Sequence, residues 1–440
     1  MNIQELHELF LKSSGVSTDT RCIEPNQLFF ALKGENFNGN EFTGLALQNG
    51  AGYVVTDEYS QNNLCIKVFN VLEALQELAN FHRNYLGIPI LAITGSNGKT
   101  TTKELIHAVL SKKFNTVATV GNLNNHIGVP LTLLSMNTST EFGIVEMGAN
   151  HPKEIERLCK IAQPDYGYIT NFGKAHLEGF GSIEGVIAGK SELYNYLKEN
   201  NKFLFLNADD PIQQKQLSYK NSFSFGSSKA NIPVEYIINK EYAEVLCNGI
   251  VFNSLLPGNY NAVNMAAAIC IGHYFEVPVK SIKETIANYT PQNNRSQIIE
   301  LGKTTLLMDA YNANPTSMKA ALESFNKFPA NNKVAILGDM FELGANSEKE
   351  HQDLVTYLEK LNFSRVFLVG TNFKKAKTNS SKIQQFEKFP ELEETILSTD
   401  LQNTKVLIKG SRGMALERLL DVFKKKSTMT DNWQGNKKSG

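Results

Sequence analysis

A surplus of charge of either sign is absent from this chain. Lys plus Arg and Asp plus Glu stand at 44 each, so no basic excess favours nucleic acid or an anionic lipid surface. Cysteine is scarce. The five present (Cys22, Cys65, Cys159, Cys247, Cys270) are widely spaced with no Cys-x-x-Cys pair, which argues against a disulfide framework or a zinc ribbon. Reduced thiols in a cytoplasmic protein are expected instead. No apolar run approaches the roughly 18 residues that a membrane span needs. Residues 1–14 mix acidic with apolar side chains, so no secretory signal is expected. Solenoid repeats are missing too. What is there is a hydrophobic fraction of 42% in 440 residues, enough for sizeable cores and, by length, about three domains.

The stretch from Ile90 to Thr102 organises the rest. The β-branched run from Ile88 to Ile93 predicts a buried strand, broken at Gly95. An amphipathic segment follows, with Leu105, Ile106, Val109 and Leu110 on one helical face. Strand, glycine-bracketed turn, Lys-Thr and helix form a phosphate cradle, in which backbone N–H groups and a helix N-terminus face the anion. Gly95, Ser96, Asn97 and Gly98 supply the turn, Lys99 a point charge, Thr100 a hydroxyl for Mg²⁺, and Thr101 a further hydroxyl. Only two residues separate the glycines, against four in the common kinase and GTPase loop.

In chain order, residues 1–87 form a small α/β unit, with strands near 28–32 and 52–56 and a helix near 71–85. Between 88 and 294 strands and helices alternate, predicting a mostly parallel sheet covered on both faces. Short strands and turns are expected over 215–255, as an inserted ribbon. A second alternating series over 295–426 predicts a separate, Rossmann-like doubly wound domain, with strands near 304, 333, 365 and 405 and helices over 317–325, 348–361 and 414–423. The Lys/Ser/Gly/Asn-rich residues 427–440 read as a disordered tail. The fold class is therefore α/β, in three domains around a central P-loop-type, mostly parallel sheet.

Several residues have the chemistry for a site. Glu146 stands where a buried strand runs out, the edge at which open α/β sheets gather ligands, and reads equally as a Mg²⁺ ligand or a solvated acid. His176 lies in a loop on the same edge. Lys190 sits among small apolar residues, where burial lowers a lysine's pKa; a surface helix lysine is the alternative. Asn261 and Asn264 open an Ala-rich helix, as caps or as contacts for a base edge. Arg295 follows an interdomain joint, and the stretch from Asp309 to Pro315 ends a strand, as site residues or plain turn chemistry.

Taken together, the short cradle from Thr94 to Thr100, the Gly121–Asn125 and Ile127–Pro130 stretches, Glu146–Asn150, Ala175–Gly181, Asp309–Pro315 and Lys409–Arg412 resemble the Mur ligase family, as do Ser17–Arg21 and Phe30–Gly34. The resemblance spans nearly the whole chain and points to the branch that joins D-Ala-D-Ala to UDP-N-acetylmuramoyl-tripeptide through an acyl phosphate, ATP becoming ADP and phosphate. It implies two Mg²⁺ ions, one held by Thr100 and Glu146, the other by His176 and a carbamylated Lys190. It implies an adenine contact at Asn264, with Arg295 and Asp309 reaching ATP. Ser17, Thr18, Arg21, Lys33, Asn124 and Asn125 are the implied contacts of the UDP-linked substrate. Asn312, Asn314, Ser411 and Arg412 are those of the dipeptide or of domain closure. Many relatives carry His where this chain has Tyr260. A cytoplasmic monomer without nucleic-acid partner is expected. Other members of the superfamily add a single amino acid, or glutamate to folate, and a nucleotide-dependent switch would use the cradle for binding alone.

Overall fold

The computed structural model describes residues 1–227, 229–238, 241–291 and 294–426. Three large sheets follow one another along the chain, and a two-stranded antiparallel ribbon of Lys33–Gly34 and Phe37–Asn38 accompanies the first. The first has four parallel strands, Val16–Ser17, Leu28–Phe30, Tyr53–Thr56 and Cys65–Lys67, in that order. Leu28 and Phe30 are wholly buried, which is why this short Leu-Phe-Phe run holds as a strand.

The second sheet has nine strands. Ile90–Thr94 lies between Phe142–Glu146 on one side and Tyr166–Ile169 on the other, parallel to both. The chain runs outward from Ile90–Thr94 to Thr116–Ala118, returns through Phe142–Glu146, and then crosses to Tyr166–Ile169. The order thus reverses beside the cradle strand, and at such a switch point the carboxyl ends of neighbouring strands open a crevice. Helices Val71–Leu86, Gly128–Leu134, Glu154–Ala162 and Ile183–Glu199 bury apolar faces in one core. Helices Lys99–Leu110, Tyr260–Tyr274 and Val279–Asn288 fill another with Phe142, Tyr168, Phe205 and Phe225.

The ribbon expected over 215–255 is not a separate insertion. Ser222–Gly226 and Ile232–Ile237 continue the sheet in parallel, and the antiparallel hairpin of Tyr242–Cys247 and Ile250–Pro257 closes its edge. Their alternating burial puts one face on the second core.

The third sheet has six strands, ordered Gln297–Leu301, Thr304–Asp309, Lys405–Lys409, Lys333–Gly338, Arg365–Val369 and Ile383–Phe386, parallel after the first antiparallel pair. The helix expected over 414–423 begins only at 419. Ala415 takes a left-handed conformation (φ 48°) and splits the preceding stretch into two 3₁₀ turns, Arg412–Met414 and Leu416–Arg418. The expected tail, 427–440, lies outside the described residues. No helix among the described residues is long and apolar enough to cross a membrane, and all five cysteines are free.

Candidate functional site

The cradle is pinned from the neighbouring strand. Thr170 Oγ1 donates to the Asn97 carbonyl at 2.6 Å, Asn171 Nδ2 to the same oxygen at 2.9 Å, and Ser96 N to the Asn171 carbonyl at 3.0 Å. Gly95 (φ +139°) is required there, because a Cβ on it would stand 2.0 Å from Thr170 Oγ1. Gly98 opens helix Lys99–Leu110 at φ +78° with no side-chain cap, so the first N–H groups of that helix remain free for an anion. Lys99 Nζ reaches back to the Gly95 carbonyl at 2.7 Å. Burial lowers the pKa of Lys99, and the nearby Glu146 carboxylate works against that shift. Asn97 Nδ2 is buried with no partner, a donor lacking an acceptor inside the cradle.

Beside the cradle, Thr100 Oγ1 donates to Glu146 Oε2 at 2.8 Å, and Asn124 Nδ2 to Glu146 Oε1 at 2.8 Å. Glu146 is buried at the end of its strand. A residue not singled out in the sequence supports it: the buried Lys103 ammonium holds the Thr119 carbonyl at 2.6 Å, while Thr119 Oγ1 accepts from Glu146 N at 2.9 Å. Lys103 lies one turn after Lys99 on the same helix, a spacing that could have pointed to it.

Lys190 is fully buried on helix Ile183–Glu199. Its Nζ donates to the Ala149 carbonyl at 2.8 Å and lies 5.1 Å from the centre of the Phe180 ring. Burial, reinforced by the like charge of Lys99, pushes its pKa well below the usual lysine range. His176 takes a left-handed conformation (φ 53°), and its Nδ1 stands 2.6 Å from Glu342 Oε2. Glu342 lies in the loop that follows strand Lys333–Gly338 of the third sheet, and no motif marks it; the signal that could have found it is that place just beyond a strand end.

A cavity of about 830 Å³ gathers most of these residues, while Gly95, Thr100 and Lys190 are not among those that line it. From the middle unit it is lined by the cradle residues Ser96, Asn97, Gly98, Lys99 and Thr101, by Asn124 and Asn125, and by Glu146, His176 and Asn264. Arg295, Asp309, Asn312, Asn314 and Arg412 line it from the third. Asn261 and Asn264 lie within helix Tyr260–Tyr274 and do not cap its start: Asn264 Nδ2 donates to Asn261 Oδ1 at 2.9 Å and Asn264 Oδ1 accepts from Thr102 Oγ1 at 3.1 Å. Tyr260 has its hydroxyl 2.8 Å from Ser296 Oγ, and burial raises its pKa. Asp309 is ion-paired to Lys409 at 2.6 Å, and the Arg295 guanidinium lies 3.6 Å over the Tyr311 ring.

Ser411 is not among the cavity-lining residues. Its hydroxyl accepts from Phe341 N at 2.9 Å and so joins two loops of the third sheet. Ser17, Thr18, Arg21 and Lys33 lie on the first unit, outside the cavity lining. The Ser17 hydroxyl donates to the Asp19 carbonyl at 3.0 Å, and Arg21 pairs with Asp19 at 2.6 Å, holding that carboxyl at a pKa of about 2. Lys33 pairs with Asp57 at 2.9 Å and Glu58 at 3.3 Å.

A glycine-bracketed loop opening a helix at Lys-Thr, with a buried carboxylate facing that threonine from the next strand, defines a nucleotide-dependent α/β enzyme of the phosphate-cradle type. Family models described as "Mur ligase family, catalytic domain", "Mur ligase middle domain" and "Mur ligase, glutamate ligase domain" match residues 12–83, 93–272 and 294–412. The chain belongs to the Mur ligase family. It is 34% identical over 430 residues to the UDP-N-acetylmuramoyl-tripeptide--D-alanyl-D-alanine ligase of Bacillus subtilis, covering 92% of each chain. With the Escherichia coli ligase of the same name it shares 33% over 442 residues, 96% of each chain. Among solved structures it resembles MurF from Acinetobacter baumannii (TM-score 0.85, 28% identity, 96% of this chain and 98% of that one). It also resembles the MurF ligase from Thermotoga maritima in complex with ADP (TM-score 0.84, 28% identity, 96% and 99%).

Proposed function

We propose that this chain joins D-Ala-D-Ala to the free carboxyl end of UDP-N-acetylmuramoyl-tripeptide in peptidoglycan precursor synthesis, with ATP converted to ADP and phosphate. The observation that carries the reading is the Thr100–Glu146 pair beside Lys99, in a chain aligned along 92% of its length with a ligase of that activity. A carboxylate is a poor electrophile. Transfer of the γ-phosphoryl group makes it an acyl phosphate, the dipeptide amine attacks the carbonyl carbon, and phosphate leaves from the tetrahedral intermediate. Such chemistry asks the protein for positioning and charge neutralisation more than for a nucleophile of its own.

The cradle N–H groups and Lys99 bind the β- and γ-phosphates in this reading, and the unpartnered Asn97 Nδ2 offers them a further donor. Asn264, Arg295 and Asp309 contact the nucleoside end. Asn124, Asn125 and, on the first unit, Ser17, Thr18, Arg21 and Lys33 hold the UDP-linked substrate. Asn312, Asn314 and Arg412 face the dipeptide or, with Ser411, the closing contact.

The donors present fit Mg²⁺. No three of His, Cys, Asp and Glu among the described residues form a preformed metal cage. Mg²⁺ in phosphoryl-transfer sites commonly takes one or two protein oxygens, with phosphate and water completing its shell. Thr100 Oγ1 and Glu146 Oε2 already converge in this way, and His176 and Lys190 are assigned the second ion. Mg²⁺ when bound supplies neutralisation of the phosphate charge. Lys190 fits a carbamate carrier: its buried amine is pushed toward the neutral form, which adds CO₂ and releases one proton to give an anionic group. We further place the enzyme in the cytoplasm, which fractionation of cells tests, and read it as a monomer, which light scattering of the purified chain tests.

The test is phosphate release by the purified protein with ATP, Mg²⁺ and UDP-N-acetylmuramoyl-tripeptide. Release is expected on addition of D-Ala-D-Ala and not of single amino acids or folate with glutamate. Stimulation by one of those acceptors instead would refute the reading.

A further inference from the structure

Four carboxylates line the cavity, and three are engaged by their own surroundings. Glu146 is held by Thr100 and Asn124, Glu154 by the N–H groups of Asn150 and His151, and Asp309 by Lys409. Glu342 differs. Its carboxylate meets His176 alone among the described residues, and its side chain is 47% exposed.

The loop that presents Glu342 is braced at each step. Met340 N donates to His351 Nε2 at 3.0 Å, Phe341 N to Ser411 Oγ at 2.9 Å, and Glu178 N of the middle unit to the Glu342 carbonyl at 3.1 Å. Glu342 itself is held at φ +62°, a left-handed conformation that a non-glycine residue adopts at a cost and keeps only where its surroundings impose it.

We propose that Glu342 binds the ammonium end of the incoming amine substrate. The proposal rests on the ligase reading above. The amine arrives mainly protonated near neutral pH. It must approach a carboxyl carbon lying at the γ-phosphate position, next to Lys99, in a cavity whose Lys99, Arg295 and Arg412 repel a cation. Glu342 is the least engaged acid of the lining, its carboxylate meeting only His176 among the described residues. Because it extends from the third sheet, the acceptor is gripped from one side of the cavity while the nucleotide is held from the other.

The test compares D-Ala-D-Ala with the analogue carrying a hydroxyl in place of the amine, D-lactyl-D-alanine, as substrate and competitive inhibitor of the full-length enzyme. For Glu342→Gln, the KM for D-Ala-D-Ala is expected to rise about tenfold or more, as for loss of a charge-assisted hydrogen bond, with the rise confined to the dipeptide. The preference for dipeptide over hydroxyl analogue should narrow by the same factor. Glu342→Asp, which keeps the charge, should recover part of both. An unchanged dipeptide KM with intact preference, or a rise in the Mg²⁺ requirement alone, overturns the proposal. If the wild-type protein uses a different amine, the ligase reading fails. The Glu342 proposal then stands or falls on whether Glu342→Gln loses that amine.

Discussion

Asn314 Nδ2 donates to Asn97 Oδ1 at 2.7 Å, a bond between the phosphate cradle and a helix 217 residues further along the chain. The same Asn314 caps helix Pro315–Asn326: its side-chain oxygen accepts from Ser317 N, and Ser317 Oγ accepts in return from Asn314 N. One side chain therefore starts a helix of the third unit and fixes the orientation of a cradle residue in the second. Lys174 Nζ to Glu350 at 2.6 Å and Lys174 N to Thr316 Oγ1 at 2.9 Å join the same two units nearby.

Asn314→Asp separates the two roles. Aspartate caps as well as asparagine but has no amide donor and adds negative charge facing a phosphate site. The melting temperature should stay close to wild type while the KM for ATP rises about tenfold or more. Asn314→Ala should raise that constant too and cost about 1 kcal/mol of stability through the lost cap. Calorimetry and initial-rate kinetics on both variants check this.

Removing the Lys190 amine should abolish turnover. Lys190→Ala is expected to be inactive at any bicarbonate concentration, and Lys190→Met, which preserves buried volume, equally so. A carbamate carbon signal from ¹³C-bicarbonate should be seen in the wild type and lost in both variants. Near-normal turnover in either would remove Lys190 from the chemistry.

Glu146→Gln keeps the shape of the side chain and removes its charge. The expected result is a fall in kcat of about a hundredfold or more, with a raised Mg²⁺ requirement measured by metal titration. Lys103→Met should show a weaker form of the same phenotype, because Lys103 acts on Glu146 through Thr119.

The buried His7–His82 pair predicts acid sensitivity. His7 Nε2 lies 3.0 Å from His82 Nδ1, and His82 Nε2 lies 2.9 Å from the carbonyl of Met136 in the middle unit. Burial lowers both pKa values, and for His7 the neighbouring His82 lowers it further. Below about pH 6.5 the unfolded chain therefore binds protons that the folded chain refuses. This contribution to stability is complete above that pH and is lost as the pH falls below it. Thermal melts from pH 7.5 to 5 should show the loss, and His7→Gln, which retains a donor for His82, should flatten it.

The cradle, Glu146 and the helix carrying Lys190 were legible because each rests on local pattern: a β-branched run, a glycine break, a lysine among small apolar residues. The third sheet was legible as alternation, though its edge strands Gln297–Leu301 and Ile383–Phe386 were not, being half-polar and short. What escaped depends on contacts between distant segments. Asn171 locks the cradle from the next strand, Glu342 reaches His176 from another sheet, and Ser411 is engaged by Phe341. No periodicity encodes such meetings. The late start of the helix at 419 turns on the backbone of Ala415, a residue whose helix propensity argued the other way.

In the proposed mechanism Thr100, Glu146, His176 and Lys190 grip the cations of a nucleotide held by the cradle. Anomalous diffraction from a crystal grown with Mn²⁺ and a non-hydrolysable ATP analogue tests it directly. Two peaks are predicted beside the terminal phosphates, one bound by Thr100 and Glu146, the other by His176 and the modified Lys190. Nucleotide in the cradle with manganese bound to none of these four side chains would contradict it.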